Sequence, residues 1–331
     1  METVRNWLEV IRTCNLGKDK PMDFVSRWLV LTRACVFSMT LTSALIGGLL
    51  AAAHGSFAWA PFVLATVGVV LAHATNNLMN DYFDLESGVD TDEYARALYA
   101  PHPVLSGWIT RAGLLRAILV FNAVNVVIGA ILALTRGWPV VLFAGLGLFI
   151  SVFYVAPPIR LKYHGLGELG VALVWGPLMI GGTYYVAAET ITLEALIATL
   201  PYALLVTTVL MGKHMDKLDA DKAKGIHTLP VIIGYRNAAR LTQLMMIAFY
   251  PIMIVLVLAR AVGPWVLLTL LALRTLWRVL NAYNQPKPAE PPPDYPVWPL
   301  WYVSLAFVHT RFAGFLFIAG LVLNLIIPIA W

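Results

Sequence analysis

The chain has 331 residues, of which 60% are hydrophobic and 12% charged, and its mean hydropathy is +0.76. A soluble domain carries roughly 25% charged residues, so this composition excludes a water-soluble globular fold and places the chain in a lipid bilayer. The net charge of +5 belongs to the connections between apolar stretches, where it orients the protein, and marks no nucleic-acid partner.

Taken in chain order, the opening METVRNWLEVIRTCNLGKDK lacks the apolar core and small-residue cleavage site of a signal peptide. Residues 1–27 therefore read as a cytoplasmic tail, and the first spanning helix directs insertion. Cys14 in that tail and Cys35 in the first apolar stretch are the only cysteines, so neither a disulfide framework nor a cysteine metal site is expected. Apolar stretches of spanning length run over 34–53, 58–79, 117–135, 139–156, 165–187, 194–212, 241–259, 262–280 and 312–330. The eighth carries Arg274 and Arg278 one turn apart, which leaves an eight-span reading open. Between the eighth and ninth, residues 284–299 hold seven prolines, which forbid a regular helix and make a stiff loop, either a linker or a cover over the cytoplasmic mouth.

With nine spans and a cytoplasmic start, 21 of the 23 Lys and Arg residues fall on the cytoplasmic side, Arg136 and Arg260 being the exceptions. Segments 80–112, 157–164, 213–240 and 281–311 then share that face and hold most of the polar chemistry. Two of them carry matching acidic clusters, NDYFDLESGVD from Asn80 and HMDKLDADKAKG from His214. Adding 135 to Asp81, Asp84 and Glu86 gives Asp216, Asp219 and Asp221. Each cluster follows an even-numbered span, so the repeat unit is four helices. The expected architecture is an all-α membrane protein of nine transmembrane helices, two four-helix pseudo-repeats facing one another, as a single domain over 1–331.

A spacing of three places Asp81 with Asp84, and Asp216 with Asp219, on one side of a helical turn. Converging carboxylates repel unless a cation neutralises them, and hard oxygen ligands without cysteine select Mg²⁺ or Ca²⁺. Mg²⁺ leaves part of its shell to phosphate oxygens, so a diphosphate suits the site. Asn77 and Asn80 flank the first cluster, and Arg160, Lys162 and Lys213 are candidate phosphate partners. The competing reading is of solvated loop acids and of basic residues serving topology alone. Glu168, at the start of the fifth span, is either a site residue or an interfacial acid at a helix N-terminus. Tyr154, Trp175, Tyr184 and Tyr185 are candidate cavity aromatics or packing residues.

At these positions the chain resembles the UbiA superfamily of intramembrane prenyltransferases. Asn80, Asp81 and Asp84 match its N-D-x-x-D first motif, and GIHTLPVIIG from Gly225 matches the continuation of its second. The stretch Leu161–Val186 is similar to the 1,4-dihydroxy-2-naphthoate polyprenyltransferase branch of menaquinone synthesis, as is the ending Gly88 to Asp90. The sequence departs from the pattern at Lys217, where the second motif has an acid, so Asp216 or Asp219 would replace it.

The resemblance implies helices around a central cavity that opens laterally, and Mg²⁺ held by Asp81, Asp84, Asp216, Asp219 and Asp221. It further implies substrate contacts from Asn77, Asn80, Tyr154, Arg160, Lys162, Glu168 and Lys213. The implied reaction moves a polyprenyl group from its diphosphate to an aromatic acceptor, a dihydroxynaphthoate before a hydroxybenzoate or homogentisate, at the cytoplasmic face of a bacterial cell membrane. A membrane terpene cyclase of the same fold would ionise the diphosphate without an acceptor. A cation-coupled transporter would place its acids near mid-bilayer rather than at helix ends. The topology makes one direct prediction: cysteines placed at Ser87 and Ala223 are labelled from the same side of the membrane, and labelling from opposite sides overturns it.

Overall fold

A computed structural model describes residues 2–17, 20–90, 101–293, 295 and 297–329. Residues 91–100 of the first polar connection, 18–19 of the amino-terminal segment, and 294 and 296 of the proline-rich loop lie outside that description. Among the described residues all regular elements are helices, joined by turns and loops, and the one β contact is an isolated bridge between His164 and His227.

The helices are α1 (Glu2–Thr13), α2 (Phe24–Leu31), α3 (Phe37–Ala53), α4 (Trp59–Glu86), α5 (Arg111–Arg136), α6 (Pro139–Phe153) and α7 (Gly167–Ala188). They continue with α8 (Leu193–Asp216), α9 (Leu218–Ala223), α10 (Leu229–Ile233), α11 (Tyr235–Leu258), α12 (Pro264–Tyr283) and α13 (Tyr302–Ile326). Eight helices among the described residues are long and apolar enough to cross a bilayer: α3 with its preceding turn, α4, α5, α7, α8, α11, α12 and α13. Helix α6 has 15 residues, which reach about 22 Å against a hydrocarbon core of about 30 Å. α6 is apolar throughout but falls short of the length that the sequence reading gave its fourth span.

Prolines mark the helix starts at α6 and α12, where a missing N–H costs nothing. Inside α7, Pro177 sits in a π-turn over Val174–Leu178 that absorbs its missing hydrogen bond. The last span differs from expectation. A reading that stops each span at a charge starts it at 312, whereas α13 begins at Tyr302 and carries Arg311 within it. The Arg311 guanidinium lies 5.4 Å from the Phe307 ring centroid and lines an internal cavity, so the helix keeps the charge without ending.

The amino-terminal segment is folded rather than a free tail. In α1 the apolar Val4, Leu8 and Ile11 form an exposed stripe at helical spacing, while Val10 is buried, the pattern of a helix lying in a membrane interface. Asp23 caps α2 by accepting the Val25 and Ser26 N–H groups, and these bonds, led by the Ser26 hydroxyl, bring its pKa down to about 2. Contrary to the expectation from sequence, Cys14 and Cys35 are joined in a disulfide with their Cα atoms 5.1 Å apart, tying this segment to the start of α3. Cysteine spacing could not show it, because the turn between α1 and α2 creates the proximity.

Helix α8 is the most enclosed of the spans. It approaches α13 so closely that a Cβ built on Gly212 would lie 2.7 Å from the Tyr302 carbonyl carbon, a small-residue contact of the kind that packs helices in lipid. Gly212→Ala is predicted to destabilise the protein by about 1–3 kcal/mol. Gly129 on α5 faces open space, and Gly129→Ala leaves stability unchanged or raised. Thermal unfolding of both variants in detergent checks the contrast.

Candidate active site

Helix α4 carries His73, Asn77, Asn80 and Asp84 at intervals of four, three and four residues, which sets them in one polar stripe along its second half. The helix closes when the Val89 and Asp90 N–H groups both donate to the Asp84 carbonyl, at 2.8 and 3.1 Å, beyond the positive-φ Gly88. Val89 then packs on Ile226 after α9, and Lys224 donates to the Gly88 carbonyl at 3.1 Å. The two acidic clusters, distant in sequence, thereby dock against each other.

The connection after α6 supplies the central cation. Lys162 donates its backbone N–H to the Tyr154 carbonyl, and its Nζ lies 2.7 Å from Asp84 Oδ2, with both side chains buried. Burial alone would discharge this ammonium, but Asp84 and Asp221 outweigh it and hold its pKa above the ordinary lysine value. Asp221, fully buried in α9, also pairs with Lys217 at 3.6 Å. Arg33 pairs with the buried Asp81. Burial, reinforced by Glu168, Asp84 and Asp221, raises the Tyr154 phenol well above its usual value, so it keeps its proton.

Of the acids expected to bind metal, the structure buries Asp81, Asp84 and Asp221, with Asp84 and Asp221 acting on Lys162 and Asp81 lying with Asp90 and His102, and turns the other two away. Asp216 turns to the start of α13, where its carboxylate accepts the Tyr302 and Val303 N–H groups at 3.1 and 3.0 Å and meets Lys287 at 3.4 Å. Four unpaired N–H groups at a helix start draw a carboxylate strongly, which is why this acid leaves the cluster. Asp219 is exposed on the outer face of α9, and Glu86 pairs outward with Arg111. The six carboxylates therefore do not converge on one point: Asp84 and Asp221 act on Lys162, and Asp81 lies with Asp90 and His102.

The expected substrate residues divide similarly. Asn77, Asn80, Tyr154 and Lys213 line a cavity of about 930 Å³ that opens from this end into the helices, and Asn77 is steadied by donating to the Thr32 carbonyl at 2.9 Å. Lys213 has no ion-pair partner among the described residues. Glu168 lies behind the cavity wall, its Oε1 accepting from His214 Nδ1 at 2.6 Å, while His214 Nε2 faces the Tyr154 hydroxyl at a long 3.5 Å. Arg160 does not line the cavity; in a left-handed backbone conformation, it stacks on Tyr163 at the rim, 5.3 Å from the ring centroid. Trp175 joins the lining, whereas Tyr184 and Tyr185 pack elsewhere. Two cavity-lining residues of the proline-rich loop, Tyr295 and Val297, give that loop the covering position.

Sequence reasoning did not single out Arg33, His73 or His214. The signal was available: a histidine inside a spanning helix has a functional explanation by default. Asp90 and His102 were also missed, and their donor atoms lie within 4.8 Å of one another and of Asp81. That trio is poorly suited to a metal. His102 Nδ1 accepts from the Val104 and Leu105 N–H groups, at 3.3 and 3.4 Å, which leaves the proton on Nε2, facing Asp90 at 3.3 Å. A better cation site is on α4 itself, where Asn80 Oδ1 and Asp84 Oδ1 are buried with no hydrogen-bond partner among the described residues. Two such oxygens, one charged, suit a hard divalent cation.

The model of the UbiA prenyltransferase family matches residues 40–295. A 1,4-dihydroxy-2-naphthoate octaprenyltransferase of Bacillus subtilis is 22% identical over 247 residues, 73% of this chain and 77% of that protein. A 2-carboxy-1,4-naphthoquinone phytyltransferase of Synechocystis is 28% identical over 239 residues, 72% of this chain and 74% of that one. Among solved structures, a UbiA homologue from Aeropyrum pernix superposes with a TM-score of 0.64 at 19% identity, covering 87% of this chain and 97% of its own. A UbiA homologue from Archaeoglobus fulgidus, bound to GPP and Mg²⁺, gives 0.61 at 16% identity, with 88% and 99% covered. These likenesses share the helical fold described above.

The placement of Asp216 separates structure from chemistry. Asp216→Ala is predicted to cost about 1–2 kcal/mol as a lost helix cap and to leave divalent-cation binding intact. Thermal unfolding with and without added cation measures both, and lost cation binding at unchanged stability would return Asp216 to the metal site.

Proposed function

Because the chain belongs to the UbiA prenyltransferase family, we propose that it transfers a polyprenyl group from an allylic diphosphate to a hydroxylated aromatic acceptor, with Mg²⁺ held at Asn80 and Asp84. The observation that carries this reading is the pair of unpartnered buried oxygens on those residues, with Lys162 against Asp84 and with Asn80 in the lining of a cavity of about 930 Å³. The Archaeoglobus homologue bound to GPP and Mg²⁺ supports the same ligands here. The acceptor we favour is 1,4-dihydroxy-2-naphthoate, after the names of the Bacillus and Escherichia coli relatives. The active end faces the cytoplasm of a bacterial cell membrane, and the acidic clusters that follow α4 and α8 belong to two four-helix pseudo-repeats.

When bound, Mg²⁺ supplies positive charge against the departing diphosphate. The chain's own residues do the rest. Lys162 and Lys213 present ammonium groups to the phosphate oxygens, and the Tyr154 phenol, which keeps its proton, donates a hydrogen bond. Lys217 takes the place of a second-motif acid and already balances Asp221, so the second cluster offers a fixed cation and one buried carboxylate. The apolar cavity excludes water from the allylic carbon, and the Trp175 ring can face developing positive charge. The electron-rich ring carbon attacks that carbon, and departure of carbon dioxide, or of a ring proton, restores aromaticity.

Purified protein given a labelled polyprenyl diphosphate with dihydroxynaphthoate, hydroxybenzoate or homogentisate is predicted to prenylate the naphthoate with release of carbon dioxide, and to stop on chelation of divalent cations. Asp84→Ala should lower turnover about 10²-fold or more at equal folded protein, together with a loss of thermal stability, because Lys162 is left without its nearest buried partner. Use of a benzoate with no naphthoate product would overturn the acceptor assignment. A cyclic hydrocarbon formed without acceptor would overturn the transferase reading itself.

A further inference from the structure

The polar stripe of α4 does not end at the diphosphate end of the cavity. Eleven residues before Asp84, a rise of about 16 Å, it reaches His73, which lines the same cavity and is 5% exposed. Its Nδ1 is engaged by Thr40 Oγ1 at 2.7 Å, and its Nε2 has no hydrogen-bond partner among the described residues. The ring is boxed by Trp175, edge-on at 5.0 Å between centroids, and by Phe37 at 5.4 Å. Trp175 Nε1, another buried donor beside the cavity, is likewise without a partner. An imidazole is costly among apolar helices unless both nitrogens are answered, and here one is left toward the lumen.

Resting on the prenyltransferase reading, we propose that His73 is the acceptor-binding residue and that its Nε2 holds a ring hydroxyl of the aromatic substrate. The depth is right. With the diphosphate at Asp84 and Lys162, the allylic carbon falls further into the cavity, and a bicyclic ring placed against it reaches the level of His73. The chemistry also selects the group. Thr40 fixes which nitrogen faces the cavity but leaves the tautomer open, and a hydroxyl answers either form because it both donates and accepts. Trp175 offers a flat edge and a second donor for a ring oxygen, and Arg33, which lines the same cavity, suits a ring that also carries a carboxylate. Arg160, which sequence alone offers as an anion partner, lies outside this cavity lining.

The test uses the full-length protein in detergent with dihydroxynaphthoate and its monomethyl ethers. His73→Phe is expected to raise the acceptor KM about tenfold, the worth of one buried hydrogen bond, with the allylic-diphosphate KM within about twofold of wild type. The ether methylated at the bonded hydroxyl should be insensitive to the substitution. Thr40→Val, which keeps the ring but frees its orientation, should raise the acceptor KM by a smaller factor, and serves if His73→Phe is not recovered folded. Quenching of tryptophan fluorescence by dihydroxynaphthoate, without allylic substrate, should weaken in parallel. An unchanged acceptor KM, or equal losses on the hydroxyl and both methoxy substrates, overturns the assignment while wild-type prenylation stands. If wild type prenylates no aromatic compound, the transferase reading fails, and unchanged quenching in His73→Phe then overturns the binding role as well.

Discussion

A lysine ammonium buried between two carboxylates from distant parts of the chain is the constraint on which this end of the molecule depends. Lys162 comes from the turn after α6, Asp84 from the end of α4 and Asp221 from α9. None of the three charges is tolerable alone at that depth, since removing one partner from a buried pair costs about 3–5 kcal/mol. The ends of α4, α6 and α8 must therefore converge, and the Val89–Ile226 contact and the Lys224 bond to Gly88 hold them there. On the proposed reading the same charges are the functional ones. A diphosphate arriving with its cation offers Lys162 new anionic partners and gives Asp84 a new cationic one, so substrate replaces protein contacts with little loss of electrostatic balance.

The second cluster shows how one substitution redistributes a motif. With Lys217 in place of an acid, Asp221 acquires an internal counter-ion, and Asp216 cannot take over the vacated role because its carboxylate closes the amino-terminal end of α13. Lys287, from the proline-rich loop, fixes Asp216 from the other side. The site is thereby asymmetric: neutral and anionic oxygens along α4 face a mixed lysine and aspartate surface from α9. On the proposed reading a divalent cation is favoured on the α4 side, at Asn80 and Asp84, and is repelled on the other by the ammonium of Lys217.

Much of this was legible in the sequence, for identifiable reasons. Most span positions follow from composition, because hydropathy acts locally; the Asp81–Asp84 pair follows from spacing along one helix, and Asp221 from its 135-residue offset from Glu86. What escaped depends on contacts between elements. Asp216 and Asp219 fit the acidic pattern as well as Asp221 does, and only the approach of α13 and the outward face of α9 distinguish them. Arg33 reads as one more positive-inside residue until Asp81 is found beside it. The Cys14–Cys35 link depends on a turn that no periodicity reveals, and Arg311 shows that a charge need not end a span when a cavity receives it.

On the proposed reading the cavity has to exclude water, and the same arrangement serves that end. An allylic cation would be captured by water before a ring carbon reached it, so the mouth has to be covered from several sides. The disulfide draws the end of α1 to the start of α3, setting Arg12 and Cys14 in the cavity wall. The proline-rich loop is stiff because its backbone has few free torsions, and it lays Tyr295 and Val297 over the opening at little entropic cost. Lys287 tethers that loop by its contacts with Asp216 and the Trp298 ring. A cover fastened through Asp216 links the acid that left the metal cluster to the exclusion of water, so its carboxylate still serves the chemistry through the geometry of the mouth.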